Sequence, residues 1–233
     1  LKKISSISLL LFCLQVAAWP QSNDSKSKIE FKNAVDSASY SIGVSVGKSF
    51  RAQEIKINSD VYMRGIQEGI DSLPHSLPQP AMDSILNAIS KITHQRALEK
   101  TAALKAKNLK EGQDFLSANR KKDSVLVTDD SLEYKILRPG KGPHPTLEDT
   151  VTVNYVGRFL DGTEFDNSYK RNSAATFPLG GVIHGWGEGL QLMSAGAKFE
   201  FVIPPALAYG ESGFQGIPPN STLIFDVELL SFK

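Results

Sequence analysis

Cysteine occurs once, at Cys13, so the chain cannot close an internal disulfide or assemble a cysteine-based metal cluster. The four histidines, His75, His94, His144 and His184, are scattered and show no metal-ligand spacing. Neither sign of charge is in excess. Twenty-six basic and 25 acidic side chains leave a formal net charge of +1, which excludes a polyanion-like or histone-like balance. No apolar run reaches the roughly 20 residues of a membrane-spanning helix. Catalytic signatures are missing as well: there is no Gly-x-Ser-x-Gly, no Walker loop and no His-Glu-x-x-His. Gly185-Trp186-Gly187-Glu188-Gly189 looks superficially like a phosphate loop, but it lacks the third glycine at the right spacing and a preceding strand.

Hydrophobic residues make up 41% of the 233, enough for at least one sizeable core and one or two domains. Lys2 and Lys3 precede an apolar run from Ile4 to Leu14, then Val16, Ala17 and Ala18. This is the pattern of a secretory signal peptide over residues 1–21. Cleavage after Ala18 would remove Cys13; a lipid anchor would use Cys13 instead, although Phe12 before it is not small. The two readings are soluble export and a lipid or uncleaved anchor.

Beyond the leader the charge divides. Residues 22–124 carry an excess of basic side chains and residues 125–233 an excess of acidic ones. That split implies two domains with different surfaces and a boundary at 124/125. In the first, short helical patterns run from Val35 to about Ile70, with Asn58-Ser59-Asp60 as a helix start. Pro74, Pro78 and Pro80 interrupt, and an uninterrupted helix then extends to about Lys122. Some 40 residues at 1.5 Å each make a rod roughly 60 Å long. Met82, Ile85, Leu86, Ile89 and Ile92 form an apolar stripe on its near half. The stripe thins beyond Leu98, so the near half is expected to pack and the far half to be largely solvated. Residues 35–92 hold too few apolar side chains for a large closed core, and a second copy pairing through residues 22–92 would supply the missing burial; a helical hairpin in a monomer is the alternative. Lys100, Lys105, Lys107 and Lys110 on the rod are interspersed with acidic residues, and nucleic acid is not an expected partner.

From Val125 onward the period changes to two. Val151, Val153 and Tyr155; Phe199, Phe201 and Ile203; and Leu223, Phe225, Val227 and Leu229 mark half-buried antiparallel strands, with a short helix near Trp186 to Met193. The class is α+β. Aromatic and aliphatic residues gather in the glycine- and proline-rich stretches between these elements, accompanied by one well-placed carboxylate, Asp166. Each alone reads more readily as core; together they suggest an apolar pocket for a hydrophobic segment.

Several segments carry a family resemblance: Asp161-Gly162-Thr163-Glu164-Phe165-Asp166-Asn167-Ser168, Val182-Ile183-His184-Gly185-Trp186, Ala208-Tyr209-Gly210, and Ile217-Pro218-Pro219-Asn220 through Phe225. In order and spacing they resemble the FKBP-type peptidyl-prolyl cis-trans isomerases over about residues 132–232. The front half, with Tyr40-Ser41-Ile42-Gly43 and the long helix, is similar to the amino-terminal dimerisation domain of the exported Mip and FkpA group. The resemblance implies an antiparallel sheet wrapped around one short helix. It implies Trp186 as a pocket floor, and Tyr155, Phe165, Val182, Ile183, Tyr209 and Phe225 as walls. The Ile183 N–H and the Tyr209 hydroxyl would donate to substrate carbonyls. Asp166 would sit at the rim with Arg171 as its partner, and Phe177, Phe214 and Ile217 would contact substrate. It further implies a homodimer, proline-containing client chains, a tacrolimus-like macrolide as inhibitor, chaperone activity, and no cofactor or metal. A non-catalytic peptide-binding chaperone using the same pocket is the alternative. Three positions depart from the family: Phe214 replaces a common His, Ala175 replaces a pocket Phe of many eukaryotic members, and His184 follows the Val-Ile pair where others have Pro or Arg.

Overall fold

A computed structural model describes residues 29–233; the leader and Cys13 lie outside the described residues. By compactness the chain forms two units, one up to Ser76 and one from Leu77 onward.

The first unit holds helices α1 (Ala34–Ala52) and α2 (Ser59–Ile70). Both begin on an asparagine whose side chain accepts backbone N–H groups: Asn33 from Asp36, and Asn58 from Asp60 and Val61. Such caps satisfy donors that have no partner inside the helix. Phe50 of α1 meets Tyr62 of α2 edge to face, with ring centroids 5.4 Å apart. The buried polar group here is Glu68, which accepts from the Ser76 hydroxyl at 2.7 Å, the Ser76 N–H at 3.0 Å and Arg64 Nε at 2.9 Å. These donors hold its carboxyl well below the ordinary glutamate range, at about 2, with the Ser76 hydroxyl contributing most. α1 buries no residue, and Tyr40, Ile42 and Val44 are exposed.

The second unit opens with α3 (Gln79–Asn119), 41 residues long. Pro80 lies in its first turn, where a missing N–H costs nothing. Seven strands come next: β1 (Leu126–Val127), β2 (Glu133–Arg138), β3 (Thr150–Arg158), β4 (Glu164–Asn167), β5 (Ala175–Pro178), β6 (Lys198–Ile203) and β7 (Leu223–Phe232), with α4 (His184–Leu190) between β5 and β6. They form one antiparallel sheet in the order β1-β2-β6-β7-β3-β4, and β5 pairs with the other part of the β3 edge. Among the described residues no helix is long and apolar enough to cross a membrane.

The core lies between the sheet and α4. Val151, Val153, Phe199, Phe201, Val227 and Leu229 face Trp186, Leu190 and Met193, all buried. α4 approaches the sheet closely because two of its residues lack a Cβ. A Cβ at Gly185 would lie 2.5 Å from Ile203 Cγ2, and one at Gly189 would lie 2.6 Å from the Phe201 ring. Two of the three glycines that mimic a phosphate loop in sequence, Gly185 and Gly189, are thus packing positions.

The helix–strand division agrees with the expected pattern, with two differences. Strand β2 escapes the period-two reading because its first residue, Glu133, is a charged side chain with 0% exposure. The far half of α3 is largely exposed, as expected, but one stripe of it is docked: Gly112, Leu116 and Asn119 are buried. Glu133 accepts from Asn119 Nδ2 at 2.9 Å and from Arg120 Nε at 3.1 Å, so the buried carboxylate is paired by the helix end. Farther up, Asn108 Nδ2 donates to the Pro219 carbonyl at 2.7 Å and Asn220 Nδ2 to the Lys105 carbonyl at 3.3 Å. In the near half, Ile85, Leu86, Ile89 and Ile92 are exposed, Leu86 at 63%.

Candidate active site

A cavity of about 670 Å³ opens where α4 meets the sheet. Its floor is Trp186, in the first turn of α4 and 5% exposed. Three rings enclose the indole. Tyr155 of β3 stands at 5.0 Å and 86°, Phe225 of β7 at 5.2 Å and 83°, and Phe177 of β5 at 5.5 Å and 50°. Phe165 of β4 abuts Phe225 edge to face at 5.5 Å. Edge-to-face packing sets the positive ring edge against a negative face, so the cup is rigid as well as apolar. The indole N–H finds no acceptor among the described residues.

The rim comes from two loops. Val182 and Ile183 precede α4, with Ile183 as its N-cap, so both are fixed by the helix start. Across the opening, Phe214 and Ile217 exchange backbone hydrogen bonds of 3.0 and 2.8 Å around Gln215 and Gly216, both at positive φ. This is a miniature hairpin whose two-residue turn suits left-handed backbone. Phe214 stacks on Tyr209 at 5.6 Å and 10°, and remains 54% exposed. Burial pushes the Tyr209 phenol above its ordinary value, so near neutral pH it is a hydrogen-bond donor.

Asp166 is occupied from several sides. It accepts from the Tyr155 hydroxyl, from the Arg171 guanidinium, and from the Asn167 N–H at 2.8 Å. Arg171 also donates to the Tyr155 hydroxyl at 3.1 Å and lies 5.6 Å from that ring's centroid. These three donors tie the carboxylate to Tyr155 and Arg171 and fix its orientation.

The cavity gathers Tyr155, Phe165, Asp166, Val182, Ile183 and Trp186, and on its other side Phe177, Tyr209, Phe214, Ile217 and Phe225. Arg171 does not line it and reaches it only through Asp166 and Tyr155. Ala175 lines the wall, as its place opposite Val153 requires. Gly181, Gln215 and Gly216 also line the cavity, and sequence reasoning does not anticipate them. Their nearness in sequence to Val182 and Ile217 is the one signal that could have found them.

An aromatic cup with the Tyr209 hydroxyl at its rim can hold one apolar ring and hydrogen-bond a flanking carbonyl; no serine, threonine, cysteine, lysine or histidine is among its lining residues. That combination fits a receptor for an apolar segment on a sheet-and-helix scaffold. Comparison with known proteins gives the family. The pattern described as "FKBP-type peptidyl-prolyl cis-trans isomerase" matches residues 142–230, and "Domain amino terminal to FKBP-type peptidyl-prolyl isomerase" matches residues 35–136. The chain is 41% identical over 229 residues to "Peptidyl-prolyl cis-trans isomerase Mip" of Coxiella burnetii, covering 98% of this chain and 95% of that protein. It is 41% identical over 199 residues to "Outer membrane protein MIP" of Legionella longbeachae, covering 85% of each. The crystal structure of FkpA from Escherichia coli superposes with a TM-score of 0.70 at 39% identity, covering 88% of this chain and 99% of that one. The chain belongs to the FKBP-type peptidyl-prolyl cis-trans isomerases, in the branch with an amino-terminal helical domain. Its activity is acceleration of X-Pro bond rotation.

Proposed function

We propose that the Trp186 cup is the catalytic site and that it works by desolvation and orientation alone. The observation that carries this reading is the enclosure of the indole by Tyr155, Phe177 and Phe225, with Tyr209 and Ile183 at the rim. Resonance keeps an amide planar and places partial charge on oxygen and nitrogen; the barrier to rotation is about 18–20 kcal/mol. Twisting the bond removes that charge separation. A dry aromatic cup therefore stabilises the twisted form relative to the planar one when both are compared with water. The proline ring sits on Trp186, and the Tyr209 hydroxyl and Ile183 N–H hold the flanking carbonyls while the preceding one turns. Stronger interaction with the twisted than with the planar peptide is the whole of the catalysis. Asp166 and Arg171 act by fixing the Tyr155 wall.

The accompanying reading is of an exported homodimeric folding helper. The leader pattern of residues 1–21 supports export, to a periplasm or to an outer-membrane anchor. The exposed stripe on α3 and the apolar residues left exposed on α1 and α2 support pairing through residues 22–92. Two copies of the isomerase domain, residues 125–233, would hold one unfolded client at two points and raise its effective affinity.

The test is isomerisation of a short Leu-Pro or Phe-Pro peptide by residues 22–233, with and without tacrolimus. The expected result is catalysis abolished by the drug. A folded protein that binds the peptide without turning it over would overturn the catalytic assignment and leave a peptide-binding chaperone.

A further inference from the structure

We propose that α3 is part of the apparatus that holds the pocket's rim, with Asn108 and Asn220 as its positioning residues. The inference rests on the isomerase reading of the pocket. The Phe214–Ile217 hairpin runs directly into Pro218-Pro219-Asn220-Ser221-Thr222. Two consecutive prolines have no N–H to donate, so this stretch can be tied down only through its carbonyls and through the residues after the prolines. Each proline carbonyl has a side-chain donor. Ser221 Oγ donates to the Pro218 carbonyl at 2.7 Å, and Asn108 Nδ2, from α3, donates to the Pro219 carbonyl at 2.7 Å.

Asn220 joins the other parts of this link. Its side chain donates to the Lys105 carbonyl of α3 at 3.3 Å, and its backbone N–H donates to the Gly210 carbonyl at 2.9 Å. Gly210 is the residue after Tyr209. Asn220 is 8% exposed and sits at φ 54°, a left-handed conformation that asparagine tolerates better than most residues. One residue thus connects α3 to the Phe214 side of the rim, to Tyr209 through the Gly210 carbonyl and to the Phe214–Ile217 hairpin through the two prolines. The helix comes this close because position 112 is glycine. A Cβ there would lie 2.3 Å from Thr222 Oγ1 and 3.3 Å from Thr222 Cβ. Residues 105, 108 and 112 therefore make a polar and small-residue seam, and that seam ends at loops lining the catalytic cavity.

Because the contact orders a rim that grips the peptide, its loss should weaken peptide binding more than it slows the turnover of bound peptide. The variants are Asn108→Ala, the near-isosteric Asn108→Asp, and Asn220→Gly, which keeps positive φ and removes the donor. Asn119→Ala is the control; it breaks a hydrogen bond of α3 to Glu133, away from the rim. All are made in residues 22–233. Steady-state isomerisation of a Leu-Pro peptide should show KM raised about fivefold in the three variants, with kcat within about twofold. Amide hydrogen exchange should rise at Phe214, Ile217 and Asn220, and not in Asn119→Ala, although that variant also melts earlier. An unchanged KM in active variants would overturn the proposal. So would a KM that rises equally in Asn119→Ala, since the effect would then be lost stability rather than positioning. If the unsubstituted protein failed to turn over peptide, the isomerase reading would fall. The exchange pattern alone would then decide whether α3 holds the loop.

Discussion

Replacing Gly189 with alanine adds one methyl group between α4 and the sheet. That methyl would lie 2.6, 2.8 and 3.0 Å from three atoms of the Phe201 ring. Ordinary contact begins near 3.4 Å, so the two elements must separate by about 0.8 Å or the ring must turn. Phe201 is fully buried, with Phe199 beside it, and has little room to turn. Overpacking of this kind costs about 1–3 kcal/mol. Alanine recovers about 1 kcal/mol of helix propensity, so the net expectation is destabilisation of about 1 kcal/mol. In a protein of this size that lowers the midpoint of thermal unfolding by about 2–4 °C. Function should suffer more than stability. α4 carries Trp186, and a misplacement approaching 1 Å can cost up to about a hundredfold in rate. Peptide isomerisation should therefore fall by roughly tenfold, on the same scale of displacement. Gly187→Ala is the internal comparison: the same helix gains the same propensity, but the new methyl only touches Leu147 Cδ2, at 3.4 Å. It should unfold at a higher temperature than the parent. If Gly189→Ala behaved like Gly187→Ala in both melting and turnover, the close approach of α4 to β6 would not be what seats the pocket floor.

Tyr209→Phe removes one rim donor and should lower kcat/KM about fivefold without changing the melting temperature. Asp166→Val leaves the Tyr155 hydroxyl and Arg171 without their acceptor and should lower it about tenfold or more, again with the fold intact by circular dichroism. Unchanged turnover in both would remove the assignment of this rim. Glu68 has its pKa lowered from 4.5 to about 2 by Ser76 and Arg64, so its contribution to the first unit is complete above 4.5 and is lost as pH falls toward 2. Helical signal in urea should show that pH dependence, and Glu68→Gln should flatten it; a variant with the parent's profile would contradict the assigned cause. Leu86→Lys with Ile89→Lys places two charges on the exposed α3 stripe. By light scattering the parent should be a dimer and this variant a monomer; a dimeric variant would move the seam elsewhere.

The sequence carries the three long strands openly, because Val151/Val153, Phe199/Phe201 and Val227/Leu229 alternate with polar neighbours. It hides β2, whose first residue is a charged side chain that becomes buried only because Asn119 and Arg120 arrive to pair it. β4 and β5 are four residues each, too short to display a period. The near half of α3 reads as a seam by its aliphatic spacing. The far half also has one, at Lys105, Asn108, Gly112, Leu116 and Asn119, but its members are mostly polar or small. Hydropathy sees apolar stripes; it does not see hydrogen-bonding ones, so docking of the far half is unreadable in sequence. In the pocket the rings are conspicuous for lying in glycine- and proline-rich stretches. Gln215 and Gly216 are not, because their place at the rim comes from a backbone turn rather than from their side chains. The bond from Tyr155 to Asp166 joins two residues 11 apart across a strand pair, a register that the β3–β4 pairing supplies and local sequence does not.

The position of β7 bears on how the molecule comes into being. The strand made last in the described fold lies between β6 and β3, in the interior of the sheet. Val151 pairs with Phe232 and Ile203 with Leu223, and Lys233 exchanges backbone hydrogen bonds with Thr150. Until residues 223–232 have been synthesised, β3 and β6 have no strand between them and Trp186 lacks Phe225 from its cup. Such long-range pairing slows folding, because distant segments must meet before any contact rewards them. A nascent chain leaving the ribosome would accordingly stay open until its final strand is available. The aromatic cup closes only when this strand has been inserted and Phe225 has reached Trp186.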